Sequence, residues 1–353
     1  MHRNKTVKQA NFSLLVILLF LFSCKANFQH LQKEENKYNV TITEQLKDEN
    51  YTQKIEQFYE KGKEGTFTGK ADIVIYYKIF KHNKEEKGAI LISAGRTEAA
   101  IKYKEIIFDL YNNGYSVYIH DHRGQGLSGR MIDDPEMGYV DTFQFFIDDM
   151  KFFYDNMLKV ANHEKVYLLA HSMGGAIGMT YIEQNPNDFN AAAFSSPMLG
   201  LVPPSCTAVK LFNSEEPKYA LGESKYHDDK VAFEDNKLSG SEIRYNRMNA
   251  AFAKEPKARL GGATYQWVYK SCQQFDSMNN NIDKIQTPFI LFSAENEQIV
   301  DVMAHQRFVE KAQAMGKLCV AYVVENAQHE LLIEKDEQRI ETINETLDFY
   351  SRY

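Results

Sequence analysis

A serine, a histidine late in the chain and a choice of carboxylates between them are the residues whose types and order could do chemistry together. Ala170-His171-Ser172-Met173-Gly174-Gly175 stands between a buried-strand pattern, Val166-Tyr-Leu-Leu-Ala170, and a helical pattern over residues 176–184. Such a junction forces a sharp reversal, which strains the backbone at Ser172 and turns its hydroxyl outward. Strand and helix then pass so closely that the flanking positions must be small, as Gly174 and Gly175 are. On the strand side Ala170 replaces the first glycine of the pattern Gly-x-Ser-x-Gly, a change of one methyl that such a turn tolerates. A serine kept only as a turn former would leave the strain without a purpose.

A hydroxyl is a poor nucleophile until a base removes its proton. In a strand-turn-helix arrangement of this kind the acid and the histidine follow the serine, in loops after later strands. His329 fits, because residues 320–324 read as a strand and Glu325-Asn-Ala-Gln-His329 follows. The other histidines fit less well. His2 is in the leader, and His30, His82, His163 and His227 are in polar stretches. His305 falls on a predicted helix, and His120 and His122 read as structural hydrogen-bond formers. His171 adjoins the serine, but the turn aims it elsewhere. The candidate acids are Glu297, then Asp301, with Glu295 a distant third, in Ala294-Glu-Asn-Glu-Gln-Ile-Val-Asp301 after a strand pattern at 289–293. A carboxylate there would orient the imidazole and stabilise its protonated form. Acyl transfer also needs donors for the developing oxyanion. The backbone N–H of Met173, directly after the serine, is one, and that of Arg96, after the strand pattern 89–94, is the second. The Arg96 side chain either meets a phosphate or makes a surface salt bridge.

The elements that must position these residues alternate. Strand patterns at 73–80, 89–94, 116–120, 166–170, 191–195, 289–293 and 320–324 are separated by helical spacing at 99–112, 143–160, 176–184, 303–315 and 335–350. That order predicts an α/β fold with a mostly parallel central sheet and helices on both faces. A hairpin through the charged turn 82–87 predicts one antiparallel edge. From about 199 to 285 the alternation stops, over Pro203-Pro204, a charged run, a helix-like stretch at 241–254 and Gly261-Gly262. An excursion of that length reads as an inserted, mainly helical cap. Its Phe212, Tyr219, Tyr226, Phe252, Tyr265 and Trp267 either line a greasy pocket or fill the cap's own small core.

The first residues read as an address. Arg3, Lys5 and Lys8 precede an apolar run at 12–22, about half of the ~20 residues a membrane-spanning helix needs. Leu21-Phe22-Ser23-Cys24 resembles a bacterial lipoprotein processing box. It implies a signal over residues 1–23 and lipidation of Cys24, with a plain signal peptide or an uncleaved anchor as alternatives. A polar segment is expected over 24–64, part of it a tether and part, Glu44 to Lys61, open to being helical, with the enzyme domain over 65–353. The acyl chains would hold the protein at a membrane surface of the bacterial cell envelope, facing the periplasm or the exterior.

The 353 residues are 44% hydrophobic and 25% charged, which excludes a disordered or fibrous chain. A net charge of −7 with no basic patch argues against a nucleic-acid partner. Four cysteines are too few for a disulfide scaffold, and with Cys24 lipidated an odd three remain, Cys206, Cys272 and Cys319. No Cys-x-x-Cys or His-Glu-x-x-His points to zinc. Gly124-Gln-Gly126-Leu-Ser-Gly129 matches a dinucleotide fingerprint, but Asp133, Asp134 and Pro135 follow where a helix should open, so no organic cofactor is expected. Nothing in the sequence specifies an oligomeric state.

Four blocks together carry a resemblance: residues 121–130, residues 170–176, Gly261-Gly-Ala-Thr-Tyr-Gln-Trp267, and Gln328-His-Glu-Leu-Leu-Ile-Glu-Lys335. From about Gly65 to the C-terminus the chain resembles the bacterial lysophospholipases, α/β-hydrolases close to the monoacylglycerol lipases. The block ending at Trp267 is the most discriminating, whereas the block from Asp121 is widespread in the fold. Such enzymes commonly place the acid two residues before an aliphatic pair, which selects Glu297 ahead of Ile299-Val300, with Asp301 as the fallback. Lipase relatives often carry His-Gly where this chain has Ala94-Gly95-Arg96; a backbone N–H is all that is needed there. The resemblance implies Ser172 as nucleophile, His329 as base, and hydrolysis of the single acyl ester of a lysophospholipid. A monoacylglycerol lipase or carboxylesterase with the same triad is the alternative, and a catalytically silent binding lipoprotein on the same fold is the rival from another class.

Overall fold

A computed structural model describes residues 28–82, 85–212, 216–227 and 231–353. The leader and Cys24 lie outside the described residues. Nine strands form one sheet: β1 (Phe28–His30), β2 (Lys63–Thr68), β3 (Val74–Phe80), β4 (Gly88–Ser93), β5 (Tyr115–His120), β6 (Val166–His171), β7 (Ala191–Ser195), β8 (Phe289–Ala294) and β9 (Cys319–Val324). Their order across the sheet is β1-β9-β8-β7-β6-β4-β5-β3-β2. Every pairing is parallel except β3 with β5 and β2 with β3.

The central strands β4 to β8 are buried at every position. They are apolar on both faces, so helices must cover both. Alternate side chains serve alternate layers. Leu168 and Ala170 face a core shared with α4 (Gln144–Phe153), α5 (Met173–Gln184) and α9 (Val302–Ala314). Tyr167 and Leu169 face the opposite core, built with α3 (Lys104–Asn112) and α10 (Asp336–Ser351).

Two expectations need correction. The strand at 74–80 is not a hairpin partner of the next strand. It pairs antiparallel with β5, because β4 already has parallel neighbours on both edges. The antiparallel edge is therefore β2–β3, and the charged connection steps past β5. The helix open over Glu44 to Lys61 is present as α2 (Glu49–Glu60, capped by Asp48), but the remainder of 28–62 is not a free tether. β1 adds to β9, and α1 (Thr43–Leu46) and α2 pack on the body.

The anchor of that segment is Thr41, which is fully buried. Its N–H and hydroxyl donate to Asp109 Oδ1 at 3.0 and 2.7 Å. Its carbonyl accepts from Arg339 and Arg244, both at 3.0 Å. Arg339 also binds Asp109 Oδ2 at 2.5 Å, so the charges are paired. Hydrophilic composition concealed this docking, since the polar groups are spent on buried partners and not on water.

The insertion between β7 and β8 carries α6 (Ser205–Ala208), α7 (Glu242–Lys254) and α8 (Tyr265–Asn281). A disulfide joins Cys206 to Cys272, and among the described residues Cys319 is the free thiol. The C-terminal half of α8 belongs to the main core through Phe275 and Met278.

Removing one member of a buried ion pair leaves the other uncompensated. Arg339→Met should therefore cost about 3–5 kcal/mol in denaturant unfolding and expose residues 28–62 to protease. A loss below about 1 kcal/mol would show that the ionic lock does not hold this segment.

Candidate active site

β6 ends at His171 and α5 begins at Met173, leaving Ser172 alone to make the reversal. Its φ and ψ are 51° and −120°, a conformation that costs a non-glycine residue about 1–3 kcal/mol. The packing around the turn enforces it. A Cβ on Gly174 would lie 2.1 Å from the Ser93 carbonyl oxygen, and one on Gly175 would lie 2.4 Å from Pro197 Cβ. The methyl of Ala170 is accommodated from the helix side, because Gly178 stands opposite and its Cβ would come within 3.2 Å of that methyl. Ser172 N–H donates to Ser195 O at 3.1 Å, tying the turn to the end of β7.

His329 follows β9, and its Nε2 lies 2.9 Å from Ser172 Oγ. Its Nδ1 lies 2.7 Å from Glu297 Oε2. A carboxylate accepts only, so Nδ1 carries the proton and Nε2 is left to accept from the serine hydroxyl. Glu297 Oε1 accepts from Ile299 N–H at 2.7 Å and Val300 N–H at 3.3 Å. Burial pushes the Glu297 carboxyl up, but the bond to His329, its charge and the two amides bring it below its ordinary value. Glu297 is thus held ionised where it can stabilise an imidazolium.

The alternative acids are employed elsewhere. Asp301 caps α9 by accepting from Met303 N–H at 2.9 Å and pairs with Arg307 at 2.8 Å. Glu295 accepts from Asn326 N–H at 2.8 Å. Two of the buried histidines, His305 and His122, are committed too. His305 bonds Ser293 Oγ and the Pro197 carbonyl at 2.9 and 2.6 Å. His122 Nε2 is 3.2 Å from Ser93 Oγ. His120 departs from the expected bonding role: both ring nitrogens lack a partner among the described residues, and burial pushes its pKa down to about 3.

Ser172 and His329 open into a cavity of about 450 Å³, within the range of small-molecule sites. Met198, Leu201, Val268 and Val300 give it an apolar wall. Of the cap aromatics, Tyr226, Phe252 and Trp267 line it. Phe212 and Tyr265 instead stack on each other at 5.3 Å. Thr264 caps α8 through Trp267 N–H at 3.1 Å and so sets where Trp267 enters the wall. Among the described residues Arg96 makes no salt bridge: its Nη2 donates to the Gly261 carbonyl at 2.7 Å, and its guanidinium lies 5.1 Å from the Trp267 ring centroid. The Met173 N–H, at the first position of α5, has no carbonyl one turn earlier to bind.

A buried ionic cluster behind the site was not foreseen. His171 Nδ1 donates to Ser195 O at 3.0 Å, while its Nε2 faces Glu330 at 3.1 Å and Glu98 at 3.5 Å. Lys102 binds Glu98 and, at 2.6 Å, Glu330. Burial opposes charge on His171, Lys102 and Glu330. The carboxylates instead raise His171 and Lys102, and the cations carry Glu330 well below its ordinary range. Glu98, His171 and Glu330 are close enough together to hold a metal ion, but the Lys102 ammonium already supplies a cation between the carboxylates. The Glu98–Lys102 spacing of four was the legible sign; that His171 and Glu330 join it was not.

Residues 84–336 match the family model Hydrolase_4, described as serine aminopeptidase, S33. The chain belongs to this family of α/β-hydrolases. This hydrolase is 34% identical over 310 residues to Lysophospholipase L2 of Escherichia coli (strain K12), covering 85% of the chain and 90% of the relative. To Probable lysophospholipase L2 of Haemophilus influenzae it is 30% identical over 305 residues, covering 83% and 95%. Its fold resembles that of a soluble variant of monoglyceride lipase from Saccharomyces cerevisiae, with a TM-score of 0.64 at 17% identity over 83% and 94% of the two chains.

The two acids separate by mutation. Glu297→Gln should lower kcat on the order of 10⁴-fold, because an amide favours the wrong imidazole tautomer. Asp301→Ala should keep kcat within about twofold and cost about 1 kcal/mol of stability as a lost cap. The reverse pattern in ester-hydrolysis and unfolding assays would reassign the acid.

Proposed function

We propose that this hydrolase cleaves the single acyl ester of lysophospholipids through an acyl-enzyme. The observation that carries the reading is the continuous chain of contacts from Glu297 through His329 to Ser172 Oγ, opening into a partly apolar cavity. Ser172 Oγ attacks the ester carbonyl carbon while His329 Nε2 takes its proton. The carbonyl oxygen becomes an oxyanion, for which the Met173 and Arg96 N–H groups are the assigned donors. As the tetrahedral intermediate collapses, His329 returns the proton to the departing glycerol oxygen. Water then repeats the sequence on the acyl-enzyme, releasing a fatty acid and free Ser172. Glu297 stays ionised throughout and compensates the imidazolium.

The substrate class is supported by two relatives named as lysophospholipases whose lengths are covered to 90% and 95%. Monoacylglycerol hydrolysis by the same residues is the second reading, favoured by the apolar wall and by the likeness to monoacylglycerol lipases. Release of fatty acid from lysophosphatidylcholine should exceed that from monoolein at equal concentration. A strong preference for monoolein would replace the first reading by the second.

Attachment at the bacterial cell envelope through Cys24 is part of the same proposal. The basic start, the apolar run and Leu21-Phe22-Ser23-Cys24 support it. So does the Cys206–Cys272 disulfide, which suits an oxidising compartment. Among the described residues no helix is long and apolar enough to cross a membrane. Metabolic labelling with a palmitate analogue should tag the wild type and not Cys24→Ser, and a tag retained in the variant would remove the anchor.

A further inference from the structure

The loop that supplies the second oxyanion donor is gripped from behind by a residue of the glycine-rich block at 121–130. Gln125 is 2% exposed, and its Nε2 donates to two carbonyls, that of Gly95 at 2.7 Å and that of Glu98 at 2.9 Å. The Gly95 carbonyl belongs to the same peptide unit as the Arg96 N–H. A trans peptide is planar, so its C=O and N–H point in opposite directions. Whatever binds the Gly95 oxygen therefore fixes where the Arg96 N–H points. Arg96 and Ser172 line the reaction cavity, whereas Gln125 is not among its lining residues. With the Gly95 carbonyl held by Gln125, which lies outside the cavity, the N–H of the same peptide points the opposite way, and Arg96 is a lining residue of that cavity.

We propose that Gln125 is a positioning residue for the oxyanion hole, acting through the Gly95–Arg96 peptide. The proposal rests on the assignment of Ser172 and Arg96 made above. The rest of the loop fits the same purpose. Glu98 grips the turn from its other end, accepting from Gly95 N–H at 2.5 Å. Only glycine leaves room for this, because a Cβ on Gly95 would lie 2.8 Å from the Glu98 carboxyl carbon. Between the two grips Thr97 has a φ of +62°, a strained value for a β-branched residue that persists only when the surroundings over-determine it.

Gln125 is itself presented by a braced loop. Gly124 and Gly126 have φ of +78° and +57° on either side of it. Asp121 accepts from Ala100 N–H and Leu127 N–H, both at 2.7 Å, and Ser128 Oγ donates to the Asp121 carbonyl at 2.6 Å. A block that resembles a phosphate-binding fingerprint thus spends its turns on aiming one amide group.

The test uses the full chain with p-nitrophenyl butyrate, a substrate that does not depend on the lysophospholipid reading. Gln125→Met keeps the length and loses both donors. Gln125→Asn keeps the donors and falls one methylene short of the carbonyls. For either folded variant kcat should fall roughly 10-fold to 100-fold, as for a weakened oxyanion donor, with KM within about threefold. Affinity for an alkyl trifluoromethyl ketone, whose adduct with Ser172 carries the oxyanion, should fall by the same factor as kcat/KM. Loss of general packing would not produce that match. A folded variant with kcat within about twofold of wild type overturns the proposal, and so does a fall in kcat/KM with unchanged ketone affinity. Slow lysophosphatidylcholine turnover beside intact p-nitrophenyl butyrate turnover would overturn the substrate reading alone. A wild type inert to both would overturn the serine assignment and this proposal together.

Discussion

The contact between Ser172 Oγ and His329 Nε2, 2.9 Å long, joins residues 157 positions apart, and the rest of the structure serves to make it. One end is a strained serine that relaxes unless its surroundings forbid it. The forbidding groups are the Ser93 carbonyl under Gly174, Pro197 under Gly175 and the Ser195 carbonyl on the serine N–H. They come from the ends of β4 and β7, neighbours of β6 in the sheet. Parallel strands put all of these ends on one edge, where loops converge. The histidine and its acid arrive at that edge after β9 and β8 for the same reason.

Buried charge holds the loops that converge there. His171 is the residue before Ser172, Glu330 the residue after His329, and Glu98 lies in the loop of Arg96. The Lys102 ammonium bridges Glu98 and Glu330, and the carboxylates favour the protonated form of His171 beside them. Replacing such a cluster by apolar groups need not lower stability. What an ion cluster adds is directionality, since each partner tolerates few relative positions of the three loops. Another buried ionic group, Arg339 with Asp109 and Arg244 with Glu105, both arginines bonded to the Thr41 carbonyl, does the same for the N-terminal segment.

The insertion over the site is fastened to the body. Helix α8 offers Trp267 to the cavity at one end and Phe275 and Met278 to the main core at the other. Arg96 ties the Gly261 carbonyl to the oxyanion loop, so the block at 261–267 and the loop share one geometry. The chain after β7 is held to α8 by the disulfide from Cys206 to Cys272. A substrate therefore meets walls contributed by the sheet edge and by the insertion together.

The order of strands and helices, the reversal at Ser172, and the placing of His329 and Glu297 after later strands were legible because each depends on residues close in the chain. Alternating apolar positions report burial locally, and a glycine pair beside a serine reports a tight turn locally. The partner of a strand edge is not local. The stretch at 74–80 reads as a strand in any register, and only competition for the edges of β4 sends it to β5. The polar stretch around Thr41 reads as solvated until Asp109, Arg244 and Arg339 are brought to it from positions 68, 203 and 298 residues away. The amino-acid order by itself determined which residue types could react and in what sequence they emerge. Tertiary structure alone decided which carboxylate reaches the imidazole and which amide aims the oxyanion loop, because hydrogen bonds are made by position in space and the chain specifies that only through its packing.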